Sequence, residues 1–179
     1  MHPILIGVSG GVAAGKKLFV QSLITKLGSK GTTAVAVDQY TRSFAKDPQT
    51  SCYIMQGLTL FSDHPNRHFD LKIFLNVEAD VRLCRMLSST TSMEEHQTML
   101  KRYESFTRPF HIRRVLKQRD LADISVNGNF REEDVERAAA RALKIFNMTG
   151  KEKEQEDEDL YTYLWIEMSE KVKKLYKLL

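Results

Sequence analysis

The stretch Gly10-Gly11-Val12-Ala13-Ala14-Gly15-Lys16-Lys17 carries the residue types that phosphate binding requires. Its spacing follows G-x-x-x-x-G-K and departs only at the next position, where Lys17 stands in place of Ser or Thr. Glycines let a backbone curl so that successive N–H groups point at phosphate oxygens. A helix starting at the end of the loop adds unpaired N–H groups and the positive end of its dipole. Lys16 would reach the β- and γ-phosphates. The missing hydroxyl normally ligates Mg²⁺, and a protonated lysine has no lone pair to replace it. A second group, Asp38, closes an apolar run and could accept a proton from an acceptor hydroxyl.

Two elements must hold the loop. Ile4-Leu5-Ile6-Gly7-Val8-Ser9 reads as a strand before it, and Leu18 to Leu27 as an amphipathic helix after it. Gly28 to Gly31 makes a turn into a buried second strand, Thr33 to Val37, which ends at Asp38. In parallel sheets ligands lie at the carboxyl ends of the strands, which puts Asp38 near the loop. Further strands are expected over Ser51–Met55, Leu71–Asn76 and Ala122–Val126. Helices are expected over Ala79–Leu87 (with Val81, Cys84 and Leu87 inward), over Met93–Gln118 with an interruption near Pro109, and over Glu132–Phe146. Strands alternating with helices imply an α/β fold with a parallel sheet covered on both faces.

The 179 residues, 42% of them hydrophobic, suit one globular domain. The division expected is a domain over 1–150, a charged linker over 151–159 and an added C-terminal helix over 160–179. That helix carries an apolar stripe through Leu160, Leu164, Met168, Val172, Leu175 and Leu179. It packs on its own domain or offers a surface to a protein partner. The net charge of +4 is too small to argue for nucleic acid. No signal peptide or membrane span is read, and Cys52 and Cys84 read as reduced core residues of a cytoplasmic protein. Arg113, Arg114, Lys117 and Arg119 read as a solvated helix face, and the spacing of Arg82 and Arg85 is compatible with another. His64, His68, His96 and His111 show no metal-ligand spacing with Cys or Glu.

Six segments in order resemble the uridine-cytidine kinase family of P-loop phosphotransferases. They are Gly7 to Lys16, Val37-Asp38-Gln39-Tyr40-Thr41-Arg42, Met55-Gln56-Gly57-Leu58, Leu71 to Asn76 running on to Leu83, Tyr103 to Pro109, and Leu121 to Val126. The resemblance implies a P-loop kinase fold, ATP as phosphoryl donor and a pyrimidine nucleoside as acceptor, with Asp38 as the base toward its 5′-hydroxyl. It also exposes departures. Besides Lys17, Gln56 stands where the family has an acidic residue. The segment between Asp38 and Gln56 lacks the hairpin that cups the nucleoside. Asp63-His64-Pro65 echoes a family motif but lies after Gln56, and is read as coincidence. The stretch matching the family's arginine-bearing lid, Met86 to Glu95, has no arginine. An arginine finger alone is worth about 10³–10⁵ in rate. These losses point to nucleotide binding with transfer weakened or lost, or to a non-catalytic module within an assembly.

Overall fold

The computed structural model describes residues 3–38, 50–61 and 69–149. The expected C-terminal helix, the linker and Asp63-His64-Pro65 lie outside these residues. Five strands form one parallel sheet: β1 (Ile4–Gly10), β2 (Ala34–Asp38), β3 (Cys52–Gly57), β4 (Leu71–Asn76) and β5 (Ile124–Asn127), in the order β2-β3-β1-β4-β5. The α/β fold expected from the alternation of strands and helices is therefore present.

β1 is buried at every position, as a strand paired on both sides and covered on both faces must be. One face is covered by α1 (Lys16–Gly28), which buries Phe19, Val20, Leu23 and Leu27, and by a helix over Glu132–Thr149. That second helix buries Val135, Ala138, Ala139 and Ala142 in the same core, with Leu143 and Phe146 partly buried against it. Each large apolar side chain fully buried there contributes about 1.5–3 kcal/mol. The other face holds a smaller cluster of Leu5, Tyr53, Met55, Leu60, Phe61 and Phe69. Phe61 and Phe69 meet edge to face over Gly7, where a Cβ would stand 2.7 Å from the Phe61 ring.

Between β4 and β5 lie α2 (Ala79–Leu87), α3 (Met93–Arg102) and a helical continuation to Leu121. Two expectations fail here. The inward face of α2 is Arg82 and Met86, not Val81, Cys84 and Leu87; Val81 and Cys84 are exposed. The true stripe is set by an i, i+4 pair one residue out of phase with the apolar letters, because a buried arginine does not register as apolar. Cys84 is thus a surface thiol, whereas Cys52 is buried and its thiol is pushed up to about 12 by burial and by the Asp70 carboxylate. Nor does Pro109 interrupt the helix. The chain keeps helical dihedrals at Thr107 and Arg108 and widens into π turns on either side, Tyr103–Thr107 and His111–Val115. A proline lacks the N–H that an α turn needs, and wide turns next to it let the run continue. We number the last helix, Glu132–Thr149, α4.

Candidate phosphate site

The chain leaves β1 at the centre of the sheet, with β3 on one side and β4 on the other. From β1 the path first runs to β2 on one side and later to β4 on the other. A crevice at such a reversal is where open parallel sheets bind ligands. The loop that fills it is unusually bent. Gly10 has φ 155° and a Cβ there would lie 2.8 Å from the Leu75 carbonyl oxygen. Gly15, the N-cap of α1, has φ 87°. Ala13 has φ 58°, alone among the described non-glycine residues in being positive. Left-handed conformations cost about 1–2 kcal/mol per non-glycine residue. Alternation of hand is also what turns successive N–H groups into one concavity. The first turn of α1 carries no side-chain cap and no acidic residue, so its N-terminus is open to an anion.

Three nitrogen-bearing side chains surround Gly11. Lys16 Nζ donates to the carbonyl oxygens of Gly10 (2.9 Å) and Gly11 (2.7 Å). Burial, aided by the Arg82 guanidinium, lowers the Lys16 ammonium to about 8. Arg82 is 1% exposed; its Nε donates to the Val77 carbonyl at 3.0 Å, while its Nη1 is buried with no partner. His111 Nδ1 is likewise buried and unpartnered. A Cβ on Gly11 would come within 2.8 Å of Arg82 Nη1 and 2.9 Å of His111 Nδ1. Only a glycine lets these groups approach the loop. Buried polar groups almost always find partners, and two orphans aimed at one backbone position mark a place built for something else.

Arg85 braces the loop from outside. Its Nη1 donates to the Ala13 carbonyl at 2.9 Å and its Nη2 to Asn129 Oδ1. Arg82 and Arg85 therefore both face the loop; neither lies on a solvated face, which corrects that reading. Beyond Asn129 a polar groove of about 750 Å³ opens after β5, lined by Ser125, Asn127, Asn129, Arg131 and Arg137 among others. Phe130 packs edge to face on Phe19 at 5.2 Å and ties this groove to α1.

The remaining sequence-derived positions separate. Val12 is exposed, and Ala14 is buried in the core. Lys17 is exposed, one residue beyond the inward Lys16. Asp38 ends β2 in register with Gln56, which is itself in register with Val8. The backbone thus brings Asp38 to the same carboxyl edge as the loop, two strands away; its side chain lies outside the described residues. Arg113, Arg114, Lys117 and Arg119 are exposed, as a solvated face requires. Among the described residues, no group of three His, Cys, Asp or Glu side chains is placed to hold a metal ion.

Sequence patterning missed Gln118. It is fully buried, and its Oε1 accepts from the Phe61 N–H at 2.7 Å while its Nε2 donates to the Leu58 carbonyl. Ser9 Oγ lies 3.1 Å from the same Oε1. Gln118 thereby pins the segment after β3 to the end of β1. Its only sequence signal is a polar residue three after the buried Val115.

Solved structures of kinases share this fold. A putative fructose transport system kinase from Silicibacter sp. TM1040 superposes with TM-score 0.52 at 14% identity, over 69% of this chain and 89% of that one. The shikimate kinase of Acinetobacter baumannii superposes with TM-score 0.50 at 16% identity, over 84% and 96%. By sequence, the chain is similar to uridine-cytidine kinase A of Dictyostelium discoideum, 22% identical over 70% of this chain and 36% of that protein. It is also similar to the uridine kinase of Chlamydia pneumoniae, 27% identical over 51% of this chain and 42% of that protein. The chain thus matches less than half the length of either relative. No protein-family model matches it. No helix among the described residues is long and apolar enough to cross a membrane.

Proposed function

We propose that this protein binds the phosphates of a nucleoside triphosphate, ATP above all, over Gly11. The observation that carries this reading is the pair of buried, unpartnered nitrogens on Arg82 and His111 converging there beside Lys16. A phosphate oxygen accepts hydrogen bonds from a guanidinium and an ammonium at once, and such charge-assisted bonds are about twice as strong as neutral ones. Lys16 would exchange its two loop carbonyls for phosphate oxygens. Arg85 would hold the loop's shape, and its other bond, to Asn129, reaches the rim of the groove after β5, where a base and ribose could lie.

The reaction this site descends from is phosphoryl transfer from ATP to a hydroxyl of a small acceptor, of the pyrimidine nucleoside kind. The acceptor oxygen would attack the γ-phosphorus, its proton would pass to the Asp38 carboxylate, and ADP would leave. A Mg²⁺ ion, where bound, would supply charge to offset the phosphates. Exposed Lys17 supplies no ligand for it, and Gln56 beside Asp38 is a weaker one than a carboxylate. Weakened turnover is the consequence. The second reading, a non-catalytic binding module within an assembly, is favoured by the lid. The turn between α2 and α3 carries no arginine and is locked by the Ser92–Glu95 capping box.

Calorimetric titration with ATP tests binding, and phosphate transfer from ATP to uridine tests turnover, each against Lys16→Ala. Turnover lost in Lys16→Ala removes the second reading. ATP bound without turnover removes the transfer reaction and leaves the phosphate site standing. ATP affinity independent of EDTA would fit a metal-free cradle, and strict Mg²⁺ dependence would reject it.

A further inference from the structure

His111 stands in this site without having been called for by the motif. It lies 100 residues beyond Gly11, at the start of the second π turn, and the turn's wide geometry carries its ring over the loop. Wide turns of this kind often occur at functional positions. The charged groups facing the ring are Lys16 from α1 and Arg82 from α2, both cations. Its own helical run adds Arg108, Arg113 and Arg114, all exposed. A third positive charge in that space is unfavourable, so the imidazole is neutral when the cradle holds nothing. Burial first, then the two cations, push it down to about 4. A phosphate among the three groups reverses the sign of the local field.

Resting on the phosphate reading above, we infer that His111 is a proton-coupled contact of the bound phosphate. The imidazole takes up a proton from solvent as the nucleotide arrives, and its Nδ1–H donates to a phosphate oxygen alongside Arg82 Nη1. Nδ1 is suited to this because it is buried, unpartnered and as close to the Gly11 position as the arginine. The consequence is a nucleotide affinity that strengthens as pH falls toward the free imidazole's value. A ring serving only as packing on Gly11 would affect affinity equally at every pH.

The experiment is titration of the full chain with ATP from about pH 7.5 to about pH 5.5, in paired buffers of different ionisation enthalpy, for the wild type, His111→Gln and Lys16→Ala. Protonation of ATP itself is common to all and cancels in ratios. Each unit by which binding raises a pKa is a tenfold gain in affinity, so the wild-type to His111→Gln affinity ratio should grow by about tenfold across this range. Extra proton uptake should appear in the wild type and be absent from His111→Gln. A ratio independent of pH, with equal proton uptake in both, overturns the inference while leaving the phosphate reading intact. Wild-type binding that is absent, or unchanged by Lys16→Ala, overturns both. Should His111→Gln not fold, the wild-type imidazole followed by NMR decides: its pKa must rise when ATP is added, and an unchanged value rejects the role.

Discussion

The two ends of the sheet's carboxyl edge differ sharply. On the β1–β4 side, three separate segments converge on the loop: the loop with the helix terminus and Lys16, α2 with Arg82 at Gly11 and Arg85 at Ala13, and the second π turn with His111 at Gly11. On the β2–β3 side, Asp38 and Gln56 are adjacent by register, and only a short stretch of sequence joins them. The phosphate side is over-determined, whereas on the β2–β3 side the described residues bring together only the backbone positions of Asp38 and Gln56. Holding a triphosphate takes fixed donors, whereas transferring its phosphate also takes an acceptor held in line.

The largest effect expected on this contrast comes from Gly10→Ala. A Cβ would press on the Leu75 backbone oxygen at 2.8 Å in a left-handed conformation, and backbone cannot yield as a side-chain tip does. Chemical unfolding should show a loss of about 2–4 kcal/mol. Next, Lys16→Ala should weaken ATP by about 10–100-fold, the worth of a hydrogen-bonded charge, with the folded state retained. Asp38→Asn, on the other side, should change ATP affinity by less than about threefold while abolishing whatever transfer to uridine exists. Equal losses from both substitutions would dissolve the distinction between the two sides.

Arg82→Met should separate stability from binding. A buried guanidinium with an empty Nη1 is costly, and a methionine of similar length fills the space without that cost. The melting temperature should hold or rise, by up to about 1 kcal/mol in stability, while ATP affinity falls about tenfold or more. A fall in both would mean that Arg82 serves the fold rather than the ligand.

The smallest effect is in pH dependence without ligand. The His111 imidazole is held below its ordinary 6.5, so the unfolded chain binds that proton first. Its contribution to stability is complete above about pH 6.5 and is lost as pH falls toward about 4. The slope is at most about 1.4 kcal/mol per pH unit, and less for a ring that is only partly buried. His111→Gln should flatten that part of the acid unfolding curve measured by circular dichroism.

The parts legible in advance are those coded by neighbouring residues. Gly10 to Lys16 is one such part, because a glycine-rich turn between an apolar strand and a helix is a local arrangement. The strands are another: β4 agrees to the residue, and β1, β2, β3 and β5 to within two. Arg82 was illegible for the opposite reason. An arginine inside an amphipathic helix normally marks the solvent side, and only the loop 71 residues earlier gives it a buried place. His111 and Gln118 share this fate. Polar letters in a helical run carry no sign of burial when their partners come from the other end of the chain.

By itself the sequence determined an α/β alternation, a phosphate-type loop and a carboxylate at the end of the second strand, since each follows from backbone preference or from hydrophobic period. Tertiary structure alone decided that β3 inserts between β1 and β2, so that Asp38 lies two strands from the loop, and that Arg82 and His111 close over Gly11. Strand order and the convergence of remote side chains depend on which surfaces bury one another, and that choice is made by the whole chain at once.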